Sequence, residues 1–172
     1  MRKIILLGYM GSGKSTIANR LSNSTGIPLV DLDKSIEERT KLSINEIFEQ
    51  KGEIYFRKLE REIFIELLNS SGELIISLGG GAPCYANNHE LLKGENVVSI
   101  YLKASVETLF ERLVSNKSKR PIIANMNEDE MKEFIAKHLF ERSFYYNQAQ
   151  YKVSVDGITK DEAAQEILKI LA

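Results

Sequence analysis

The segment Lys3–Thr16, KIILLGYMGSGKST, constrains this 172-residue chain more than any other. Gly8, Gly13, Lys14 and Ser15 satisfy G-x-x-x-x-G-K-[ST], in which glycines let consecutive backbone N–H groups converge on phosphate oxygens. The apolar run KIILL predicts a strand before the loop, and STIANRLSNS predicts a helix after it. A phosphate there would meet a helix N-terminus and its positive dipole. Lys14 is suited to neutralising the β- and γ-phosphates of a nucleoside triphosphate, and the Ser15 hydroxyl to ligating Mg²⁺. The alternative is a glycine-rich strand–helix turn that binds nothing. Pattern and context together argue against it.

Short apolar runs and longer amphipathic segments alternate along the rest of the chain. Strands are expected at Lys3–Leu7, Pro28–Asp31, Leu74–Ser77, Val97–Leu102 and Lys152–Val155. Helices are expected at Ser15–Ser24, Lys34–Arg39, Ile44–Lys51, Ile54–Ser70, Val106–Asn116, Glu128–Tyr146 and Lys160–Leu171. Ser43 and Glu46 have capping-box spacing, which starts a helix there. Several strands are apolar throughout, as in a parallel sheet covered on both faces. The reading is one α/β domain over residues 1–172, a five-stranded parallel sheet with helices on both faces. Residues 116–130 lack periodicity for long enough to form a lid over a site.

Composition excludes several function classes. Lys and Arg number 23 against 24 Asp and Glu, and this near balance argues against general affinity for nucleic acid or anionic membrane. No stretch approaches the roughly 20 apolar residues of a membrane span. The single cysteine, Cys84, cannot form an internal disulfide and suits a reducing compartment, so a cytoplasmic location is expected. No Cys/His cluster suggests zinc, and His89 and His138 lack partners at ligand spacing.

Three further clusters carry candidate chemistry. Asp31 and Asp33 end an expected strand; residues two apart on an extended chain share a face, so both could look into a site while Leu32 enters the core. The competing reading makes Asp33 a cap for the helix that follows. Gly79, Gly80 and Gly81 follow another strand, where three glycines suit a close backbone approach to a ligand, although an ordinary flexible turn would also use them. Arg57 and Glu60 lie three apart on one helix face, so Glu60 could orient the guanidinium for a planar anion. Taken alone, that pair could equally be a solvated helix face.

The order GYMGSGKST, DLD, FRKLE, SLGGG, KRPII and ERSFYY resembles the shikimate kinase family across nearly the whole chain. The resemblance implies a fold similar to the nucleoside monophosphate kinases and MgATP-dependent phosphorylation of the 3-hydroxyl of shikimate, in the pathway to aromatic amino acids. It implies that Gly11, Ser12, Gly13, Lys14, Ser15 and Thr16 wrap the ATP phosphates, with Ser15 on Mg²⁺ and Asp31 holding the metal through water. It implies that Asp33 bonds the shikimate hydroxyls and acts as the base, and that Arg57 and Arg142 clamp the carboxylate. Gly79, Gly80 and Gly81 would line the ring, Glu60 would position Arg57, and Arg120 would reach the phosphates from the lid. The expected partners are ATP and shikimate, with no nucleic acid or membrane, and the expected working form is a monomer.

The chain departs from the family pattern where Ile122 and Ile123 follow the lid Arg-Pro in place of two leucines. The arginine expected before Arg120 is replaced by Ser115–Lys119, which leaves Arg112 or Lys117 to face adenine; Lys160 is the candidate for the late basic residue. Two rival readings stand beside this one. One is a gluconate or nucleoside monophosphate kinase of the same architecture. The other is a non-enzymatic nucleotide switch, against which the chain has no N-K-x-D sequence for reading guanine.

Overall fold

The computed structural model describes residues 1–116 and 122–172. Five strands, β1 (Lys3–Leu7), β2 (Leu29–Asp31), β3 (Leu74–Ser77), β4 (Val97–Lys103) and β5 (Tyr151–Ser154), form one parallel sheet in the order β2-β3-β1-β4-β5. Among the described residues, seven helices, α1 (Lys14–Thr25), α2 (Leu32–Thr40), α3 (Ile44–Lys51), α4 (Glu53–Asn69), α5 (Val106–Val114), α6 (Glu128–Tyr146) and α7 (Lys160–Leu171), accompany the sheet. The expected α/β architecture is therefore present, and element boundaries match expectation or differ from it by one or two residues.

Burial explains the topology. In β1, Ile4, Ile5, Leu6 and Leu7 are wholly buried between β3 and β4, and each such side chain is worth about 1.5–3 kcal/mol over exposure. The apolar sides of α1 (Ile17, Ala18, Leu21) and α7 (Ala163, Ala164, Ile167) are buried against one another and the sheet. The edge strands β2 and β5 are less buried, which fits their mixed composition. Helix starts follow local chemistry: capping boxes join Ser43 to Glu46, Asn127 to Glu130 and Thr159 to Glu162. Among the described residues, two short 3₁₀ segments, Ala82–Cys84 and Asn88–Lys93, were not expected from periodicity.

This topology sets where function can lie. The chain leaves central β1 toward β2 on one side and later reaches β4 on the other, so a crevice opens at the carboxyl ends of the strands. The phosphate-type loop follows β1, the aspartate pair spans the end of β2 and the start of α2, and the glycine run follows β3. Among the described residues no helix is long and apolar enough to cross a membrane.

Candidate active site

Left-handed backbone shapes the loop after β1. Gly11 has φ +85° and Gly13, which precedes α1, has φ +97°, conformations that cost a residue with a Cβ roughly 1 kcal/mol or more. At Gly11 a Cβ would also lie 3.0 Å from the Leu113 side chain, so two constraints select glycine there. Lys14 Nζ donates to the carbonyls of Gly8 (2.6 Å) and Tyr9 (3.1 Å), curling over the loop. Arg112 of α5 donates to the carbonyls of Ser12 (2.9 Å) and Gly11 (3.3 Å), which ties α5 to the same loop. Ser12 is buried and Ser15 exposed. A cavity of about 500 Å³ opens here, and its lining includes Gly13, Lys14, Ser15, Thr16, Asp31 and Asp33. Arg112 and Lys160 also line it, while Lys117 lies outside the described residues.

Both aspartates face this cavity, though not through strand alternation. The strand stops at Asp31, and α2 begins at wholly buried Leu32. The cap is Asp31 rather than Asp33, since an Asp31 carboxylate oxygen accepts from the Lys34 N–H at 3.1 Å. Asp33 sits in the first helical turn. Burial pushes its carboxyl above the usual range, Asp31 and Glu37 add to this, and Lys14 and Arg57 hold it back.

The glycine run links Asp33 to the two predicted arginines, Arg57 and Arg142, and for a reason the sequence does not show. None of the three glycines has positive φ; what they lack room for is a side chain. A Cβ on Gly79 would lie 2.8 Å from an Asp33 carboxylate oxygen, one on Gly80 3.2 Å from Arg142 Nη1, and one on Gly81 2.8 Å from Arg57 Nη2. The segment thus runs past the base candidate and both arginines in turn. Arg57 and Arg142 do not line the large cavity; Arg57 opens instead on a second hollow of about 400 Å³.

Each arginine is held in place by its neighbours. Arg57 Nη1 donates to Glu60 Oε1 at 2.9 Å, and its guanidinium carbon lies 3.9 Å from the centre of the Tyr85 ring. Glu60 is 1% exposed, which removes the reading of this pair as a solvated helix face. Burial pushes the Glu60 carboxyl up to about 7 against the downward pull of Arg57. Arg142 Nη1 lies 3.3 Å from the Tyr146 hydroxyl, which donates to the Gly80 carbonyl at 2.6 Å. The Arg142 guanidinium also lies 5.5 Å from the Tyr9 ring, and the Tyr9 hydroxyl bonds His138 Nδ1 at 3.0 Å. His138, Arg142 and Tyr146 therefore form one stripe on α6 that reaches both the phosphate-type loop and the glycine run. Of these, the family resemblance gave a substrate role to Arg142 alone, and the contact from Tyr9 to His138 spans 129 residues, beyond any local pattern. Burial pushes the Cys84 thiol up to about 11, so it stays protonated and unreactive. Arg120 lies outside the described residues.

The donor set suits a hard cation. Ser15, Asp31 and Asp33 bring oxygens to the cavity, and among the described residues no three His, Cys, Asp or Glu side chains are grouped to hold a metal. Mg²⁺ is typically held by one or two carboxylates, with water and substrate phosphates completing the shell, which such a sparse set fits.

Comparison with known proteins decides the family. A family model for shikimate kinase matches residues 10–172. The shikimate kinase of Flavobacterium johnsoniae is 70% identical over 172 residues, covering 100% of both chains. The chain belongs to the shikimate kinase family. A solved shikimate kinase from Bacteroides thetaiotaomicron superposes with a TM-score of 0.90 at 34% identity, over 99% of this chain and 98% of that one. The structure of shikimate kinase from Acinetobacter baumannii in complex with shikimate gives a TM-score of 0.84 at 32% identity, over 99% of this chain and 93% of that one. The fold expected of a shikimate kinase is the one present here.

Proposed function

We propose that this enzyme, a shikimate kinase moving the γ-phosphate of ATP to the 3-hydroxyl of shikimate, uses Asp33 as the acceptor-side base and Arg57 and Arg142 as the carboxylate clamp. The observation that carries this reading is the glycine run. It brings Asp33, Arg142 and Arg57 around one short segment, directly beside the phosphate-type loop. A carboxylate-bearing acceptor with hydroxyls suits two cations and one proton acceptor, whereas a neutral sugar would bring no anion to the half-buried Arg142, which has no carboxylate partner among the described residues.

In this reading the phosphates lie on the loop N–H groups from Gly11 to Thr16, and Lys14 turns from the Gly8 and Tyr9 carbonyls onto phosphate oxygens. Mg²⁺ belongs at Ser15 and Asp31, where it would offset charge on the β- and γ-phosphates. Asp33 hydrogen-bonds the attacking hydroxyl and takes its proton as the phosphoryl group transfers. Glu60 keeps Arg57 aimed at the acceptor carboxylate. Arg120 keeps the phosphate-contacting role that family resemblance gives it, within a lid at about 116–130. Alignment and charge stabilisation supply most of the catalysis of phosphoryl transfer, which matches a site rich in positioning groups. The enzyme is taken to work as a cytoplasmic monomer.

ADP release measured with shikimate, gluconate and nucleoside monophosphates tests the acceptor, and Asp33→Asn tests the base. Turnover is expected with shikimate alone, and the variant should lose about 10²–10⁴-fold in kcat with the KM for ATP little changed. Turnover with gluconate and none with shikimate would reject the acceptor. An unchanged kcat in the variant would reject the base.

A further inference from the structure

We infer that Tyr85 is a positioning residue for Arg57, its ring fixing the plane of the guanidinium that receives the acceptor carboxylate. The inference rests on the carboxylate-clamp reading above. Receiving a carboxylate through two parallel N–H···O bonds requires the guanidinium plane to be set in advance. Glu60 fixes one edge by accepting from Nη1, and Gly81 backs Nη2 closely enough to exclude a Cβ. Glu53 lies 3.8 Å from Nε, so three carboxylate or backbone groups meet the nitrogens while the faces of the guanidinium are left to the rings. The Tyr85 ring stacks there, 3.9 Å from the guanidinium carbon, and Phe56 lies at 5.0 Å.

The backbone that presents Tyr85 is built for this at a cost. The next two residues, Ala86 and Asn87, both have positive φ (+51° and +57°), a conformation that residues other than glycine rarely adopt in succession. Such segments persist only where the surroundings determine them. Here Arg61, one turn beyond Arg57 on α4, donates to the Ala86 carbonyl at 2.7 Å and to Asn88 Oδ1 at 3.1 Å. Asn88 is wholly buried, donates to the Ala82 carbonyl at 2.9 Å, and its N–H bonds the Tyr85 carbonyl at 3.0 Å. One face of α4 therefore carries both the guanidinium that is stacked and the one that anchors the strained turn doing the stacking. Tyr85 is itself exposed, so core packing does not account for the arrangement.

The test compares Tyr85→Leu, Tyr85→Phe, Arg61→Met and Arg57→Lys by steady-state kinetics, with melting curves checking that each variant is folded. Tyr85→Leu is expected to raise the KM for shikimate roughly three- to tenfold while kcat and the KM for ATP stay within about twofold. Tyr85→Phe keeps the ring face and should restore the KM. Arg61→Met, by freeing the turn, should shift KM in the same direction as Tyr85→Leu. An unchanged KM in Tyr85→Leu, or equal losses in the Leu and Phe variants, overturns the inference. Arg57→Lys separates the two readings. If it leaves the KM for shikimate unchanged, the clamp falls and the inference with it; if it raises KM while Tyr85→Leu does not, the inference alone falls. A Tyr85→Leu effect of the same size on a shikimate analogue with its carboxylate reduced to an alcohol would also overturn it, since the ring would then only line the pocket.

Discussion

Glu60 is 1% exposed and lies 2.9 Å from a guanidinium, yet burial outweighs that partner and brings its carboxyl up to about 7. The ion pair that orients Arg57 is thus intact only when the pH is above that value. Protonation below it replaces a charge-assisted hydrogen bond with a neutral one, a loss of about 1 kcal/mol. The KM for shikimate should therefore rise about fivefold as pH falls from 8 to 6, and Glu60→Gln should show a raised KM with no such slope. The stability sign is opposite to that of an ordinary salt-bridged carboxylate. The native state holds the proton more tightly than the unfolded chain, so the contribution is largest below about 4.5 and is lost as pH rises to about 7. The slope is bounded by about 1.4 kcal/mol per pH unit. Denaturant midpoints measured across that window should flatten in Glu60→Gln; a slope equal to the parent's would mean another group titrates. The spacing of Arg57 and Glu60 was legible in the sequence, but their burial was not, because it depends on what packs over that face of α4.

The glycine run shows how an element can be recognised correctly for an incomplete reason. Three consecutive glycines after a strand signal close approach, and the sequence suggested approach to a ligand. The structure adds the protein's own charged side chains, with Asp33, Arg142 and Arg57 each beside one glycine. Because a new Cβ would meet the far ends of flexible side chains, alanine should displace them without unfolding the domain. Gly79→Ala, aimed at Asp33, should lower kcat by at least about tenfold, in line with partial loss of the proposed general base. Gly81→Ala, aimed at Arg57, should instead raise the KM for shikimate. Steady-state kinetics on the two variants would refute this assignment if both changed the same parameter. Strands and helices themselves were largely legible from periodicity. The α6 stripe was not, because Tyr9–His138 and Tyr146–Gly80 are contacts between distant segments, and no local pattern encodes them. Likewise the start of α2 at Leu32 followed from Asp31 taking the cap, a choice between two equally suitable aspartates.

Across the whole molecule, order is distributed unevenly around the crevice. The phosphate-type loop hangs from central β1, whose five residues are all buried between two strands. The proposed acceptor side is built differently: Asp33 and Arg57 stand on α2 and α4, which pack with α3, and α3 buries only Ile47. Local opening follows buried contacts, so the backbone hydrogen bonds of α3 should open at far lower free energy than those of β1. An acceptor that joins Asp33, Arg57 and the Gly79–Gly81 segment would tie α2 and α4 to the end of β3 and hold α3 between them. Native-state amide exchange read by mass spectrometry should therefore show α3 exchanging well before β1 in the free enzyme. At shikimate about 100-fold above its dissociation constant, linkage allows up to about 2.7 kcal/mol of added protection, roughly a hundredfold slowing. ATP analogues alone should slow the loop and α1 instead, because the contacts proposed for the phosphates lie on the β1 side of the crevice. Slowing of α3 by nucleotide but not by shikimate would place the acceptor elsewhere, and equal exchange of α3 and β1 in the free enzyme would show that the domain opens as a single unit.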